Sequence, residues 1–155
     1  MRVQRAAGGK SYELVHPPCV QQRADDLAEV HAMLAAGETE VAIDELRWLL
    51  DDCRDFIEAH KLLGESAAAE GDAKLARAHF GYAYDLGHAA LPPQGLDAPL
   101  SYELPANQPF LEAAKGLAWS LIELEQPDKA RQVIQQLLAL DPSDPLQARQ
   151  MLAGL

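Results

Sequence analysis

Thiols and imidazoles are the side chains in this sequence that could bind a transition metal. They occur as two pairs, His16 with Cys19 and Cys53 with His60. Zinc needs four ligands, and its structural sites repeat short Cys and His spacings that these pairs do not show. We therefore expect no metal and no other cofactor.

Motifs that are typical of enzymes are also missing. The sequence has no nucleophile elbow, no dinucleotide fingerprint and no paired zinc-protease histidines. The segment 8–11, Gly-Gly-Lys-Ser, ends like a phosphate-binding loop but lacks the first glycine of that motif and a preceding strand. We predict that the protein is not an enzyme. The alternative, an enzyme or metal protein in a helical scaffold, requires His31, His60 or His79 to converge with a cysteine or a carboxylate.

The balance of charge narrows the classes of partner. The chain has 155 residues, with 13 Lys and Arg against 24 Asp and Glu, which gives a formal net charge of −11. This charge repels phosphate backbones and anionic lipid surfaces. We therefore expect neither nucleic acid nor a membrane as a partner.

Cysteine usage and the N-terminal segment indicate a compartment. The two cysteines, Cys19 and Cys53, imply no disulfide framework, which favours a reducing environment. No apolar run follows the charged first ten residues, so the core of a signal peptide is lacking. No stretch approaches the roughly 18 apolar residues that a membrane-spanning helix needs. We expect a cytoplasmic location.

The spacing of apolar residues predicts helices from residue 25 onward. Leu27, Val30 and Leu34, for example, are three and four residues apart, as on one face of an amphipathic helix. Breaks near residues 37, 71 and 126 divide the pattern into pairs of helices, among them 57–69 with 75–86 and 111–124 with 128–140. Asp72 is predicted as an N-cap and Pro127 as a first helical residue.

Residues 1–22 contain glycines and prolines and show no helical period. We predict an extended leader there and a helical domain after it. The domain, 23–155, comprises units at about 23–56, 57–90 and 111–144, a Pro-rich insert at 87–109 and a capping helix at 145–153.

The helix pairs repeat at a fixed period. Gly37 and Gly71 lie 34 residues apart, as do Ala42 and Ala76, and a fixed period is the signature of a repeat architecture. Within this period the second and third units share a pattern of small and large apolar residues. In the second unit it consists of Leu63, Gly64, Ala76, Phe80 and Ala83, and in the third, more loosely, of Leu117, Ala118, Ala130, Ile134, Leu137 and Pro142.

On these residues the sequence resembles the tetratricopeptide repeat (TPR) family, and it is most similar to uncharacterised bacterial members. It departs from the motif at His60 and Ala114, where Trp is favoured, and at Ala67 and Leu121, where Tyr is favoured. The resemblance implies an all-α fold: a right-handed alpha-alpha superhelix of about three TPR helix pairs plus a C-terminal capping helix. Such units are stable only as a stack, because each buries the apolar face of its neighbour.

The insert at 87–109 is the least generic part of the chain. Its prolines exclude regular helix, and loops of this length are usually functional or disordered. Its apolar residues favour docking on the helices. The Ser-Tyr-Glu-Leu segment at 101–104 also occurs at 11–14; coincidence is one explanation, and two extended arms lying beside each other is the alternative.

The resemblance implies a concave groove lined by the first helix of each unit, and a function as a protein–protein interaction scaffold. Lys61 and Lys115 match the lysines of TPR domains that clamp a C-terminal carboxylate, but Glu65 and Trp119 stand where those domains have Asn. A partner protein or peptide of another kind is therefore expected. The groove residues carried over by position are Leu27, His31, Leu34, Glu58, Lys61, Glu65, Glu112, Lys115, Trp119 and Ile122.

Each of these assignments has a structural alternative. Trp119 is a candidate binding hot spot, or it packs beneath the insert. Trp48 is predicted as a seam residue that packs against the leader or the next unit. The lysines and glutamates also fit ordinary pairing on helix surfaces. The alternative for the whole molecule is a self-associating structural module that forms a homodimer.

Overall fold

The chain folds into eight α-helices and one small two-stranded sheet. The predicted all-α fold is therefore confirmed as mostly helical and corrected by the presence of the sheet. The computed structural model describes residues 1–155. The elements are β1 (Arg2–Arg5), β2 (Tyr12–Val15), α1 (Pro18–Gln22), α2 (Ala24–Ala35), α3 (Thr39–Asp52), α4 (Ile57–Ala69), α5 (Ala73–Ala89), α6 (Gln108–Glu123), α7 (Pro127–Leu140) and α8 (Arg149–Leu152), with a 3-10 turn at Pro105–Asn107.

The helix ends follow the local chemistry of the sequence. Helix α4 spans the predicted residues, and α7 begins at Pro127, where the missing N–H costs nothing. Asp72 caps α5, because its Oδ1 accepts the backbone N–H of Leu75 at 3.0 Å. Gln126, before α7, makes no such cap, and its buried Oε1 has no hydrogen-bond partner.

The turn inside each helix pair has the same backbone conformation. Gly37 has φ of 79° and Gly71 has φ of 77°, in the region that glycine enters without strain. In the third pair Glu125 takes this place with φ of 57°. The third pair therefore has a turn residue with positive φ although this residue is not glycine.

Small residues let the helices approach closely. Helix α6 packs against both α4 and α5, and the ring of Phe80 lies between α4 and α6. A Cβ on Gly64 would lie 2.7 Å from this ring, and one on Gly116 would lie 2.6 Å from it. Only glycine fits at either position without moving the ring or the helix.

Two apolar clusters form the core, and they meet along α4. The larger has 20 buried residues, including Phe80 and Phe110, and joins α4 to α7. The smaller has 9 buried residues, including Leu46 and Phe56, and joins α2, α3 and α4. Because α4 contributes to both clusters, the three helix pairs form one continuous body.

Residues 1–22, which were predicted to be an extended leader, contain regular secondary structure. Strands β1 and β2 form an antiparallel hairpin, with Val3 opposite Leu14, and α1 follows it. Cys19 of α1 forms a disulfide with Cys53 at the end of α3. The sequence implied no disulfide framework, and the structure corrects this, because the fold brings together two residues that are 34 positions apart, with 5.7 Å between their Cα atoms.

The insert is mainly irregular, as predicted, but helix continues into both of its ends. Helix α5 extends to Ala89 and α6 begins at Gln108, so residues 90–104 form the irregular part. This part lies against the hairpin: the N–H of Tyr12 donates to the carbonyl of Pro99 at 2.8 Å, and Tyr12 and Leu100 form a parallel bridge. The two Ser-Tyr-Glu-Leu segments therefore do lie beside each other.

The predicted capping helix is a short one. Helix α8 covers only Arg149–Leu152, preceded by buried Ala148, and the neighbouring Leu146 and Met151 pack against the larger core cluster. No helix in the structure has both the length and the apolar character needed to cross a membrane.

Candidate functional site

Polar side chains connect the first helix of each pair in one row. Nε2 of His31 on α2 lies 3.2 Å from Oε1 of Glu58 on α4. Nζ of Lys61, one turn further along α4, donates to Oε1 of Glu112 on α6 at 3.4 Å. We call this group of polar side chains on α2, α4 and α6 the polar row. Its residues are His31, Glu58, Lys61, Glu65, Glu112 and Lys115.

Lys61 is the buried centre of the polar row. Only 8% of the residue is exposed, and its Nζ also pairs with Oε1 of Glu65 at 2.8 Å. Burial lowers the pKa of Lys61, but the hydrogen bond to Glu65 and the charges of Glu112 and Glu58 outweigh it and raise the pKa above its usual value. The ammonium group is therefore charged and fully engaged.

The exposed charge of the polar row is negative. The side chain of Lys61 is 10% exposed, whereas those of Glu65 and Glu112 are 50% and 36% exposed. Lys115 is half-buried and offsets this only in part; its Nζ donates to the carbonyl oxygen of Leu146 at 2.7 Å. An approaching molecule thus meets more carboxylate groups than ammonium groups.

The insert covers the α6 end of the polar row. The hydroxyl of Tyr102 donates to Oε2 of Glu112 at 3.2 Å, and its backbone N–H donates to Oδ2 of Asp141 at 2.9 Å. Burial, followed by the charge of Glu112 and the hydrogen bond to it, raises the pKa of Tyr102. Sequence reasoning missed Tyr102, because no local pattern indicates which carboxylate a loop tyrosine will contact.

Asn107 holds the insert and the leader together. It is fully buried, and its Oδ1 accepts the N–H of Leu14 at 2.9 Å. Its Nδ2 donates to the carbonyls of Tyr12 at 2.9 Å and Ser101 at 2.8 Å. One amide therefore joins both Ser-Tyr-Glu-Leu segments, and the only signal for this in the sequence was their repetition.

The four apolar candidates lie beside the polar row but face the core. Leu27 and Leu34 are half-buried against the smaller cluster, and Trp119 and Ile122 are half-buried against the larger one. The polar candidates thus form two contact groups, His31 with Glu58 and Lys61 with Glu65 and Glu112, while Lys115 contacts Leu146. The apolar candidates pack against the core.

Trp48 does not pack into a seam, so that prediction is wrong. The residue is 53% exposed, and the guanidinium of Arg23 lies 5.3 Å from its ring centroid. The tryptophan is therefore covered on one face by a single side chain.

A cleft lies at the end of the polar row, next to the leader. It has a volume of about 240 Å³ and lies between α1, the start of α4 and the start of α6. Glu58 is its polar-row residue, and Val20 and Phe56 are among its apolar walls. The disulfide fixes one wall, because Cys19 precedes Val20 on α1.

The side chains considered as metal ligands are engaged elsewhere. Cys19 and Cys53 are bonded to each other. Nε2 of His16 lies 2.7 Å from the carbonyl of Ala106, and Nε2 of His60 lies 2.8 Å from that of Arg54. No three His, Cys, Asp or Glu side chains are grouped so that they could hold a metal ion.

Comparison with known proteins leaves the family open. No family model matches the sequence, and no match was found among curated proteins.

Proposed function

We propose that this protein is a TPR-type scaffold that binds a partner protein or peptide along the polar row and catalyses no reaction. In this proposal the three helix pairs form a right-handed superhelix, and the polar row lies on its concave face. The 34-residue spacing of the turn residues Gly37 and Gly71 and their shared backbone conformation support it. So does the packing of α6 against both helices of the preceding pair.

The observation that carries the proposal is the pair of contacts between first helices. His31 meets Glu58 across α2 and α4, and Lys61 meets Glu112 across α4 and α6. These contacts join neighbouring first helices, α2 to α4 and α4 to α6. A surface of this kind suits an elongated partner that crosses several helices, such as a helix or an extended peptide.

The charges favour a basic partner segment. Glu65 and Glu112 expose their carboxylates, and the chain as a whole has a net charge of −11. Complementary charge speeds association and selects partners more than it adds affinity. Capture of a C-terminal carboxylate is disfavoured, because Lys61 is held by two glutamates and Lys115 by the carbonyl of Leu146.

The α2 and α4 part of the polar row is the part proposed to bind. At the α6 end Tyr102 lies on Glu112, and the segment before α8 lies on Lys115. His31 and Glu65 remain exposed, with 48% and 50% of their side chains accessible. The insert therefore narrows the available groove to its N-terminal half.

A cytoplasmic location stays part of the proposal, but the disulfide weakens it. Disulfides persist mainly in oxidising compartments, and those in the cytosol are usually transient or redox-sensing. The bond between Cys19 and Cys53 removes one of the grounds for expecting the cytoplasm. Thiol alkylation of protein taken from its native cells tests the location: free thiols support the cytoplasm, and a bonded pair contradicts it.

Affinity capture from native lysate with a charge-reversal variant tests the binding role. Glu65→Lys reverses an exposed charge of the polar row, whereas Glu70→Lys makes the same charge change at the exposed C-terminal end of α4. We expect the wild type and Glu70→Lys to capture the same partner. Glu65→Lys should bind it at least about 10-fold more weakly, which corresponds to about 1.4 kcal/mol of binding free energy.

Both variants must first show the helical circular dichroism of the wild type. Equal capture by all three proteins would overturn the proposed site. Failure of the wild type to retain any partner above an unrelated helical control would overturn the scaffold role itself.

A further inference from the structure

The large apolar side chains that the protein exposes recur with the 34-residue period of the helix pairs. They are Val41 and Trp48 on α3 and Leu75 and Tyr82 on α5, with exposed fractions from 43% to 53%. Val41 and Leu75 lie 34 residues apart, and so do Trp48 and Tyr82. The exposed apolar groups thus belong to the second helices of their pairs, while the polar row belongs to the first helices.

Trp48 projects from an acidic part of α3. Asp44, Glu45, Asp51 and Asp52 are each three or four residues from it, which places them on the same side of the helix. Arg23 pairs with Asp52 and covers one face of the ring, and Arg47 lies 4.0 Å from Asp44. Glu45 and Asp51 make no ion pair. The last turn of α3 adds the negative end of its dipole.

A large cleft lies between two other second helices, α5 and α7. It has a volume of about 510 Å³. Leu117 and Leu121 of α6 form the floor of the cleft. Gly81 of α5 lies in its wall and has no side chain to fill it. A Cβ on Gly81 would meet only Cδ1 of Leu117, at 3.8 Å. The cleft is therefore an open hollow whose floor, with Leu117 and Leu121 at 8% and 3% exposure, offers a small apolar area, and exposed Tyr82 adds to this area from the wall.

The rim of this cleft is mainly basic. Arg77 and Lys129 lie on it, together with one acid, Asp85, and none of the three makes an ion pair within the protein. Lys129 stands in the first turn of α7, where the positive end of the helix dipole adds to its charge. In a protein with a net charge of −11, this rim is complementary to the acidic surroundings of Trp48.

We propose that Trp48 of one copy of this chain inserts into the α5–α7 cleft of a second copy. The aromatic ring covers Leu117 and Leu121, and the acids beside it face Arg77 and Lys129. The two surfaces lie on different parts of the molecule, so the contact is heterologous and adds copies head to tail. It leaves the polar row free and stands independently of the proposed partner binding.

Light scattering after gel filtration tests the association. For the wild type we expect a mass that rises with concentration above the monomer value of 16.9 kDa. Salt should lower it, because exposed charges are screened. Trp48→Ala removes the inserted ring, and Gly81→Leu fills the cleft while favouring the α5 helix. Each variant alone should stay at the monomer mass.

Mixing the two variants is the decisive step. Gly81→Leu keeps Trp48, and Trp48→Ala keeps an open cleft, so an equimolar mixture should form a species of twice the monomer mass and nothing larger. Leu75→Ala, which removes an exposed apolar side chain outside the cleft, should associate like the wild type.

Three results would overturn the proposal: a wild type that stays monomeric up to concentrations on the order of 1 mM, variants that still associate alone, or a mixture that stays monomeric. Circular dichroism and a thermal melt of each variant exclude misfolding as the cause of a monomeric result.

Discussion

Phe80 illustrates how single small residues determine the distance between helices. Its ring fills the space between α4 and α6, and Gly64 and Gly116 face it from either side. The protein interior is packed as densely as an organic crystal, so one added methyl group at such a contact must displace a neighbour. The approach of α4 to α6 brings Lys61 within reach of Glu112, so the same glycines also determine the geometry of the polar row.

Substitution of two helical glycines should therefore have opposite effects on stability. Gly116→Ala forces the Phe80 ring or α6 to move and should lower the free energy of unfolding by about 1–3 kcal/mol. Gly81→Ala meets only Leu117 at an ordinary contact distance and should raise it by about 0.5–1 kcal/mol, because alanine favours helix. Urea unfolding of the three proteins measures both changes, and equal effects would contradict this account of the packing.

Sequence reasoning at the residue scale was strongest where a local rule applies. Asp72 as a cap and Pro127 as a first helical residue follow from their own chemistry, and both predictions are confirmed. Tyr102 and Asn107 act through partners far away in the sequence. No periodicity carries that information, so their contacts could not be predicted.

The leader is the element whose structure departs most from expectation. Its glycines and prolines indicated an extended segment, yet it forms a hairpin because the insert supplies a second partner for β2 at Leu100. A two-stranded hairpin is barely stable alone. Tertiary contacts, namely Asn107 and the disulfide, supply the stability that local sequence does not.

Loss of the disulfide should destabilise the protein without changing its helices. The bond closes a loop that spans 34 residues, and closing a loop of this size contributes roughly 4 kcal/mol to stability. Cys53→Ser, or reduction of the wild type with dithiothreitol, should lower the free energy of urea unfolding by about this amount. A dithiothreitol effect equal in the wild type and in Cys53→Ser would show that the bond contributes nothing.

The helices themselves were well predicted from the sequence. Their apolar residues recur at three and four positions, and glycine or proline marks most of their ends, so the bounds of α4 agree with the periodicity. The insert was predicted as irregular for the same local reason, the geometry of proline. The place where the insert docks depends on surfaces that form only after the helices have packed.

At the scale of the whole molecule, stability should fall as the pH falls below about 6.5. Burial is the main cause that lowers the pKa of His60 and of His79 below the usual value. The unfolded chain therefore binds protons more readily, so stability is complete above the unfolded pKa and is lost as the pH falls through the folded one. Urea unfolding at pH 8 and pH 5.5 measures the loss.

The double variant His60→Gln and His79→Gln should flatten this dependence. His88→Gln changes an exposed histidine at the end of α5 and serves as the control, which should retain the wild-type dependence. An unchanged slope in the double variant would assign the pH dependence to other groups.

The account as a whole divides the surface between two kinds of helix. We propose the polar row on the first helices as the surface for a partner, and we assign Trp48 and the α5–α7 cleft on the second helices to self-association. Site-specific photo-crosslinking in the native cells tests the central claim most directly, with a benzophenone amino acid at position 31 in one version and at position 75 in the other. His31 lies in the polar row, and Leu75 is exposed on α5.

The account predicts a crosslink to a different protein from position 31 and none to that protein from position 75. A partner crosslinked from position 75 alone would contradict the claim that the polar row is the binding site.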